Sequence, residues 1–167
     1  MSTIATTAPV SARPGNVVAV AVPMTPLLED ALPRVDWSDA FAVMTPGGRQ
    51  RHPQEWADAI FHAPPFWIRV LFGAREAAVR VVGIERGGSH VFDTVTSLRG
   101  EVLLGIDQDH LGFRASVLVE PGRVVLSTIV EVHNRRGRAY SAIIRRIHPF
   151  VVRGMLARAA RTMAVAS

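Results

Sequence analysis

The amino-acid sequence predicts an α+β fold in which a curved antiparallel sheet is closed by one long C-terminal helix. Residues 123–133 and 138–147 are rich in β-branched and apolar residues, which is typical of paired strands. The residues between them, NRRG at 134–137, predict a tight turn with Gly137 at positive φ. Residues 150–163 then carry an apolar stripe at helical spacing, formed by Val152, Met155, Leu156, Ala159 and Met163. Such a sheet and helix would enclose an apolar molecule.

The N-terminal part predicts a leader, one short strand and one longer strand. Residues 1–16 are small, polar and proline-containing, so we expect a disordered leader ahead of a single domain at 17–164. Residues 17–22 are apolar but too short for the core of a secretory signal, and predict an edge strand or a packed extended segment. Residues 36–44 predict a strand that ends at the turn 45–48.

Two helices and a series of strands are predicted to follow. Residues 53–62 have proline at the first helical position and place Trp56 and Ile60 on one face. After the break at 63–65, residues 66–82 predict a second helix with a broad apolar face that includes Trp67. Strands are then predicted at 91–97, 101–106, 112–120 and 123–133, followed by the last strand at 138–147. His148 and Pro149 are expected to reset the backbone before the C-terminal helix.

Composition excludes several classes of protein. Although 49% of the 167 residues are apolar, no run approaches the ~20 residues of a membrane span, and we expect a cytoplasmic protein. The chain has no cysteine, which excludes disulfides and thiolate chemistry. The net charge of +5 comes from 19 basic residues that are all arginine. This bias fits GC-rich coding better than selection for phosphate contacts, so no nucleic-acid partner is expected.

No metal or cofactor is expected from the motifs. The six histidines show no pair at metal-ligand spacing within one element. The cluster at 107–110 (DQDH) offers oxygen and imidazole ligands, but it fits a polar turn better because hard cations need more oxygens. A Gly-x-Ser-x-Gly nucleophile motif is missing, as is a Gly-x-Gly-x-x-Gly motif after a strand.

Arg114 is the most unusual polar residue of the predicted sheet, because it stands among apolar neighbours in the middle of a strand. A buried arginine must be paired or must bind an anion. We favour an ion pair with a cross-strand carboxylate, for which the candidates are Glu131, Glu101 and Asp93. The alternative is recognition of a ligand carboxylate or enolate.

Two residues are candidates for catalysis. His148 would close the last strand, either as a hinge residue or as a proton donor or acceptor at the mouth of the cavity. Tyr140, the only tyrosine, would either place its phenol in the cavity or pack with the hydroxyl at the surface. The remaining candidates for contact with a ligand are Trp56, Trp67, Thr128, His133, Arg145 and Met155, of which the aromatic residues also fit an ordinary core.

The order of elements resembles the helix-grip architecture of the START-like, or SRPBCC, superfamily, which includes the Bet v 1 allergens and bacterial polyketide cyclases. The chain is most similar to an uncharacterised bacterial branch of it, a domain of unknown function that also occurs fused to short-chain dehydrogenase-like domains. The likeness covers residues 17–163. Its matching segments are 35–41 (VDWSDAF), 63–67 (APPFW), 103–105 (LLG), 109–117 (DHLGFRASV), 133–138 (HNRRGR) and 148–156 (HPFVVRGML). The resemblance implies the fold, and it implies no catalytic residue.

Three hypotheses about function follow. The first, which we favour, is a monomer or homodimer that binds a small apolar or polyketide-like molecule, with an acidic or enolic group as a further possibility. The second is a cofactor-independent cyclase, dehydratase or isomerase that uses His148, Tyr140 or Arg114 in the same cavity. The third is an anionic-surface or nucleic-acid binder, which we rank last because the aromatic interleaving that single-strand binding needs is missing from its arginine group. That group is formed by Arg135, Arg136, Arg138, Arg145 and Arg146.

Overall fold

The computed structural model describes residues 15–45, 51–61 and 93–165, which form six strands and three helices. In chain order the elements are β1 (Val17–Val20), α1 (Pro26–Glu29), β2 (Trp37–Met44), α2 (Pro53–Phe61), β3 (Thr94–Leu98), β4 (Glu101–Gln108), β5 (Leu111–Glu120), β6 (Arg123–Val132) and α3 (Arg135–Val165). The strands form one antiparallel sheet in the order β1-β2-β6-β5-β4-β3. The predicted α+β class is confirmed, and the arrangement is consistent with a helix-grip fold.

Strand alternation gives the sheet two buried faces. The long-helix face carries Phe41, Val117 and Leu126 in register on neighbouring strands, and it packs against α2 and the second half of α3. We call the opposite face the α1 face. There Leu28 and Leu32, from α1 and the residues after it, pack against Leu103 and Ile129. Burial on both sides explains why the strands are nearly continuous apolar runs rather than alternating ones.

The apolar stripe predicted for the C-terminal helix is buried in the core, where it forms the inner side of the second half of α3. Val152, Met155, Leu156 and Ala159 are buried against the sheet and against Trp56 and Ile60 of α2. Met163 is partly buried at the same core. Burying a leucine or methionine side chain contributes about 1.5–3 kcal/mol, so this stripe holds the helix on the sheet.

The predicted last strand at 138–147 is wrong, because these residues form the first half of α3. The chain turns at Asn134, whose carbonyl oxygen accepts from the backbone N–H of Arg138 at 3.0 Å. Its side-chain Oδ1 accepts from the backbone N–H of Gly137, also at 3.0 Å, which is the hydrogen bonding of a helix N-cap. The residues read as a hairpin turn are therefore the start of a helix.

Gly137 has a different role from the one predicted. It is not among the glycines at positive φ. It lies instead where α3 crosses the β4–β5 turn, and a Cβ at this position would collide with the carbonyl oxygen of His110. Glycine is required here for close approach of two backbones and not for a left-handed turn.

Pro149 lies inside α3 rather than before it. Without an N–H it leaves the carbonyl of Arg145 without its usual helical donor, a position at which helices typically bend. We call residues 135–148 the first half of α3 and residues 150–165 the second half.

The other predicted elements agree with the structure where it describes them. β1 is an edge strand, β2 and α2 begin and end within a residue or two of the prediction, and the strands β3 to β6 follow one another as a meander. The short helix α1 was not predicted. The predicted leader, residues 1–16, lies outside the described residues except for its last two positions. The helix predicted at 66–82, which includes Trp67, lies entirely outside them. No helix in the described part is long and apolar enough to cross a bilayer.

Candidate functional site

The candidate site lies between the first half of α3 and the part of the sheet where the start of β2 pairs with the end of β6. Its centre is His148, whose Nδ1 is 2.8 Å from Oδ2 of Asp39. The ring of Trp37 meets the His148 ring edge-on, with 5.3 Å between the centroids. The imidazole is held between a carboxylate and an indole, with 14% of its side-chain surface exposed.

The alternation of β2 explains why these groups meet. Trp37, Asp39 and Phe41 project from the same face of the strand, the face that α3 covers. Asp39 is directly opposite Thr128 on β6, which is buried on that face. On the helix, Ser141 and His148 are two turns apart and share the inward stripe.

The Asp39 contact determines which nitrogen of His148 carries a proton. An ionised carboxylate can only accept, so the Nδ1 of His148 must donate to it. In the neutral ring the Nε2 then carries the lone pair and can accept a proton. This is the arrangement in which a carboxylate orients a histidine for acid–base chemistry.

Three polar atoms near this centre are buried without a hydrogen-bond partner among the described residues. They are the Nε1 of Trp37, the Oδ1 of Asp39 and the Oγ of Ser141. Their surroundings are apolar, since Leu111, Val130 and Val132 form a cluster against which Trp37 and Tyr140 pack. Buried polar groups are nearly always satisfied, so a set of unsatisfied ones on one face needs an explanation.

Tyr140 contributes to the same region. Its ring meets that of His110 edge-on, with 5.6 Å between the centroids, at the point where α3 crosses the β4–β5 turn. Tyr140 and Ser141 are consecutive on the helix, so the phenol and the hydroxyl lie on adjoining parts of its inward face. The structure thus brings together three of the predicted site residues: His148, Tyr140 and Thr128.

Arg114 lies on the opposite, α1 face of the sheet. Its Nη1 and Nη2 donate to Oδ1 and Oδ2 of Asp107 at 3.0 and 2.8 Å, and Nη1 also donates to the carbonyl of Phe113. The hydrogen bond from Arg114 holds the pKa of the Asp107 carboxyl below its usual value. Arg114 is therefore in an ion pair, as favoured, but its partner is none of the three carboxylates expected.

The remaining candidates lie apart from the His148 centre. Trp56 and Met155 belong to the packed core under the second half of α3. His133 is exposed at the end of β6, with its Nδ1 2.9 Å from the carbonyl oxygen of Gln108. Arg145 is exposed on the helix surface. The DQDH cluster lies at the hairpin between β4 and β5, where Asp107 and Gln108 end β4 and Asp109 and His110 form the turn.

Asp39, Trp37 and Ser141 were missed as site residues. A signal for Asp39 was present in the sequence, since it is the one charged residue on an otherwise apolar face of β2. Ser141 could not be found while its segment was read as a strand, because its relation to His148 is a helical spacing.

Comparison with known proteins gives one match. The model of a family described as "Protein of unknown function (DUF2867)" matches residues 31–155, which contain all of the site residues above. No curated protein and no solved structure matches the chain at a significant level. Because the match covers most of the sequence, the chain belongs to the DUF2867 family of proteins of unknown function.

Proposed function

We propose that the protein binds a small, largely apolar molecule between the sheet and the first half of α3. The observation that carries this proposal is the group of buried polar atoms without partners, on Trp37, Asp39 and Ser141, beside an apolar wall. Ligand sites typically combine such a wall with a few convergent polar groups that set orientation. The resemblance to the START-like superfamily, whose architecture encloses apolar molecules, supports the same function.

The polar atoms favour a particular kind of ligand group. Trp37 can only donate a hydrogen bond, Asp39 can only accept one when ionised, and Ser141 can do either. A hydroxyl or enol, which both donates and accepts, satisfies Trp37 and Asp39 together, whereas a ligand carboxylate would be repelled by Asp39. Ser141 and His148 are about 10 Å apart along the helix, so the ligand is expected to span roughly that length.

Two buried serines allow a matched test. The Oγ atoms of Ser141 and Ser127 are both buried without a described partner, but Ser127 faces the α1 side of the sheet. Native mass spectrometry of the purified protein first identifies a co-purifying molecule. We expect Ser141→Ala to weaken its binding about fivefold, the value of one hydrogen bond, while Ser127→Ala leaves binding unchanged.

Trp37→Phe extends the test, because it keeps an aromatic ring and removes only the donor. We expect a comparable loss of affinity. Equal binding by all three variants, or the absence of any co-purifying apolar molecule together with no binding of added hydroxylated polyketide-like compounds, would contradict the proposal.

A second function is favoured by one specific observation, the Asp39–His148 contact at 2.8 Å. We propose as the alternative a cofactor-independent cyclase, dehydratase or isomerase in which Nε2 of His148 takes a proton from the bound molecule. Asp39 would hold the required tautomer and stabilise the imidazolium that forms. In that case His148→Gln abolishes turnover of the identified ligand but retains its binding. Binding without any conversion by the wild-type protein would leave the first function and exclude this one.

A further inference from the structure

The charges of this protein are divided between α3 and the rest of the chain. Helix α3 contains eight of the 19 arginines and none of the 14 acidic residues, while the remaining chain carries more acidic than basic residues. Arg135 and Arg136 even occupy the first turn, where the helix dipole disfavours cations. General GC-rich coding does not explain a separation of charge by element, so the arginines of α3 need an explanation of their own.

The outward face of α3 combines these arginines with exposed apolar side chains. Phe150 is 72% exposed and Ile143 is 65% exposed, and they are the most exposed large apolar side chains of any described helix or strand. Arg146 lies three residues from Ile143 and four from Phe150, so these three side chains adjoin on one face of the helix. Arg153 is not part of this face, because its Cζ lies 5.2 Å from the centroid of the Phe41 ring on the sheet. We call the exposed residues Arg135, Ile143, Arg146 and Phe150 the basic face.

The helical geometry is what creates this face. In an extended strand Ile143 and Arg146 would project to opposite sides, and Phe150 would lie beyond the strand's end. On α3 they form one continuous surface on the side away from Ser141 and His148, which point to the sheet. The exposed Phe150 adds an aromatic side chain to this surface one turn beyond Arg146.

The chemistry of the basic face selects among partners. A second copy that docked through the same face would bring arginines against arginines, which repel. A single-stranded nucleic acid would match the charges and could stack a base on Phe150, but it offers no aliphatic surface to the exposed Ile143. An anionic bilayer supplies both requirements, since lipid phosphates accept bidentate hydrogen bonds from guanidinium groups and the acyl boundary takes apolar side chains.

We propose that the basic face of α3 docks the folded protein onto the surface of an anionic lipid bilayer. The arginines contact the lipid phosphates, while Ile143 and Phe150 enter the boundary between headgroups and acyl chains. The inward face of the helix remains packed on the sheet, so docking requires no unfolding. This inference is independent of the function proposed for the His148 site.

Vesicle flotation of the full chain tests the proposal. We expect the protein to float with phosphatidylcholine vesicles that contain about a third phosphatidylglycerol, and not with pure phosphatidylcholine. Binding should fall as salt rises, because surface charges are screened over about 10 Å at 0.1 M and about 3 Å at 1 M. We expect Arg146→Gln to weaken binding about fivefold and Phe150→Ser to weaken it about tenfold.

Matched controls exist on β3 and in the turn that follows it. Arg99→Gln removes an exposed arginine and Val95→Ser an exposed apolar side chain outside α3, and both should leave flotation unchanged. All four variants alter exposed residues, so their melting temperatures should equal that of the wild type, which circular dichroism checks.

Three results would overturn the proposal. Equal binding to neutral and anionic vesicles, or none to either, excludes an anionic membrane partner. If the protein bound single-stranded poly(U) more tightly than the vesicles, and Arg146→Gln removed the poly(U) binding, the basic face would be a nucleic-acid interface. A stable dimer that Phe150→Ser dissociates would make it a contact between copies.

Discussion

At the residue scale, the orientation of His148 depends on a single carboxylate from the other end of the chain. Asp39 is 109 positions away in sequence, and its Oδ2 holds Nδ1 of the imidazole while Trp37 stands against the ring. A lone histidine in water changes tautomer freely. Here the acceptor determines which nitrogen is protonated, and this leaves Nε2 as the nitrogen that can accept a proton.

We expect Asp39→Asn to change the tautomer of His148. The asparagine amide can turn its NH₂ toward Nδ1, which would then accept and leave the proton on Nε2. Nitrogen-15 NMR of the imidazole should show Nδ1–H in the neutral ring of the wild type and Nε2–H in the variant. His133, whose Nδ1 lies at a backbone carbonyl, serves as an internal reference that should not change. Identical His148 spectra in both proteins would show that Asp39 does not set the tautomer.

Gly137 gives a second prediction at this scale. Because an added Cβ would meet the backbone carbonyl of His110, Gly137→Ala should lower the free energy of unfolding by about 1–3 kcal/mol. The expected change is opposite in sign to the usual one, since replacing glycine by alanine inside a helix normally raises the free energy of unfolding by ~1 kcal/mol. The control is Gly100→Ala, where the added Cβ makes only ordinary contact with the carbonyl of Val119. Urea denaturation measures both, and a Gly137→Ala protein as stable as the wild type would exclude the close crossing.

The candidate site could be predicted only in part. His148, Tyr140 and Thr128 were identified because a histidine before a proline, a lone tyrosine and a hydroxyl on an apolar strand are visible locally. Asp39 was not identified, because its role comes from the pairing of β2 with β6 and the crossing of α3 over both. Such a juxtaposition depends on tertiary structure, which one sequence does not display.

At the scale of the element, α3 shows how two periodicities compete. The isoleucines at 143, 144 and 147 favour a strand by propensity, and NRRG resembles a hairpin turn. The arginines contradict that reading, since Arg138 and Arg145 are seven residues apart, as are Arg146 and Arg153, which is the spacing of one helix face. Pro149 was read as a break, but the apolar stripe continues through it.

Because one side of α3 is buried and the other exposed, a substitution by aspartate should have very different effects on the two sides of the helix. Leu156 is fully buried, so Leu156→Asp should unfold the protein, because losing the side chain costs ~2–5 kcal/mol and the unpaired charge costs more. Ile143→Asp introduces the same charge at an exposed position of the same helix and should change stability little. Thermal melting followed by circular dichroism distinguishes them. A cooperative transition near the wild-type temperature for Leu156→Asp would show that the stripe is not core.

At the scale of the whole molecule, two aspartates tie stability to pH. Hydrogen bonds from the Val132 backbone N–H and from Arg34 lower the pKa of Asp36, and that from Arg114 lowers the pKa of Asp107. A carboxyl with a lowered pKa in the folded state stabilises the protein above the unfolded pKa of about 4. This contribution is lost as the pH falls through the folded value.

We therefore expect the melting temperature of Asp107→Asn to lie below that of the wild type at neutral pH, and the difference to disappear in acid. The effect should be modest because Asp107 is well exposed. Calorimetry from neutral pH to below about pH 4 measures the difference. Asp30→Asn, which removes an equal charge at the end of α1, is the control. A difference that persists or grows in acid would contradict the ion-pair interpretation.

The strand order has a consequence for how the chain reaches its native state. Strands β3 to β6 pair with their neighbours in sequence, whereas β2 joins β6 only after the intervening chain has been closed into a loop, since Met44 pairs with Arg123 and Trp37 with Val130. Local hairpins form in about 1–10 μs, and closing a long loop adds an entropic cost. The meander is thus expected to assemble first and to serve as a template for β2. Because β2 carries Trp37 and Asp39, the candidate site around His148 would be the last part of the protein to form.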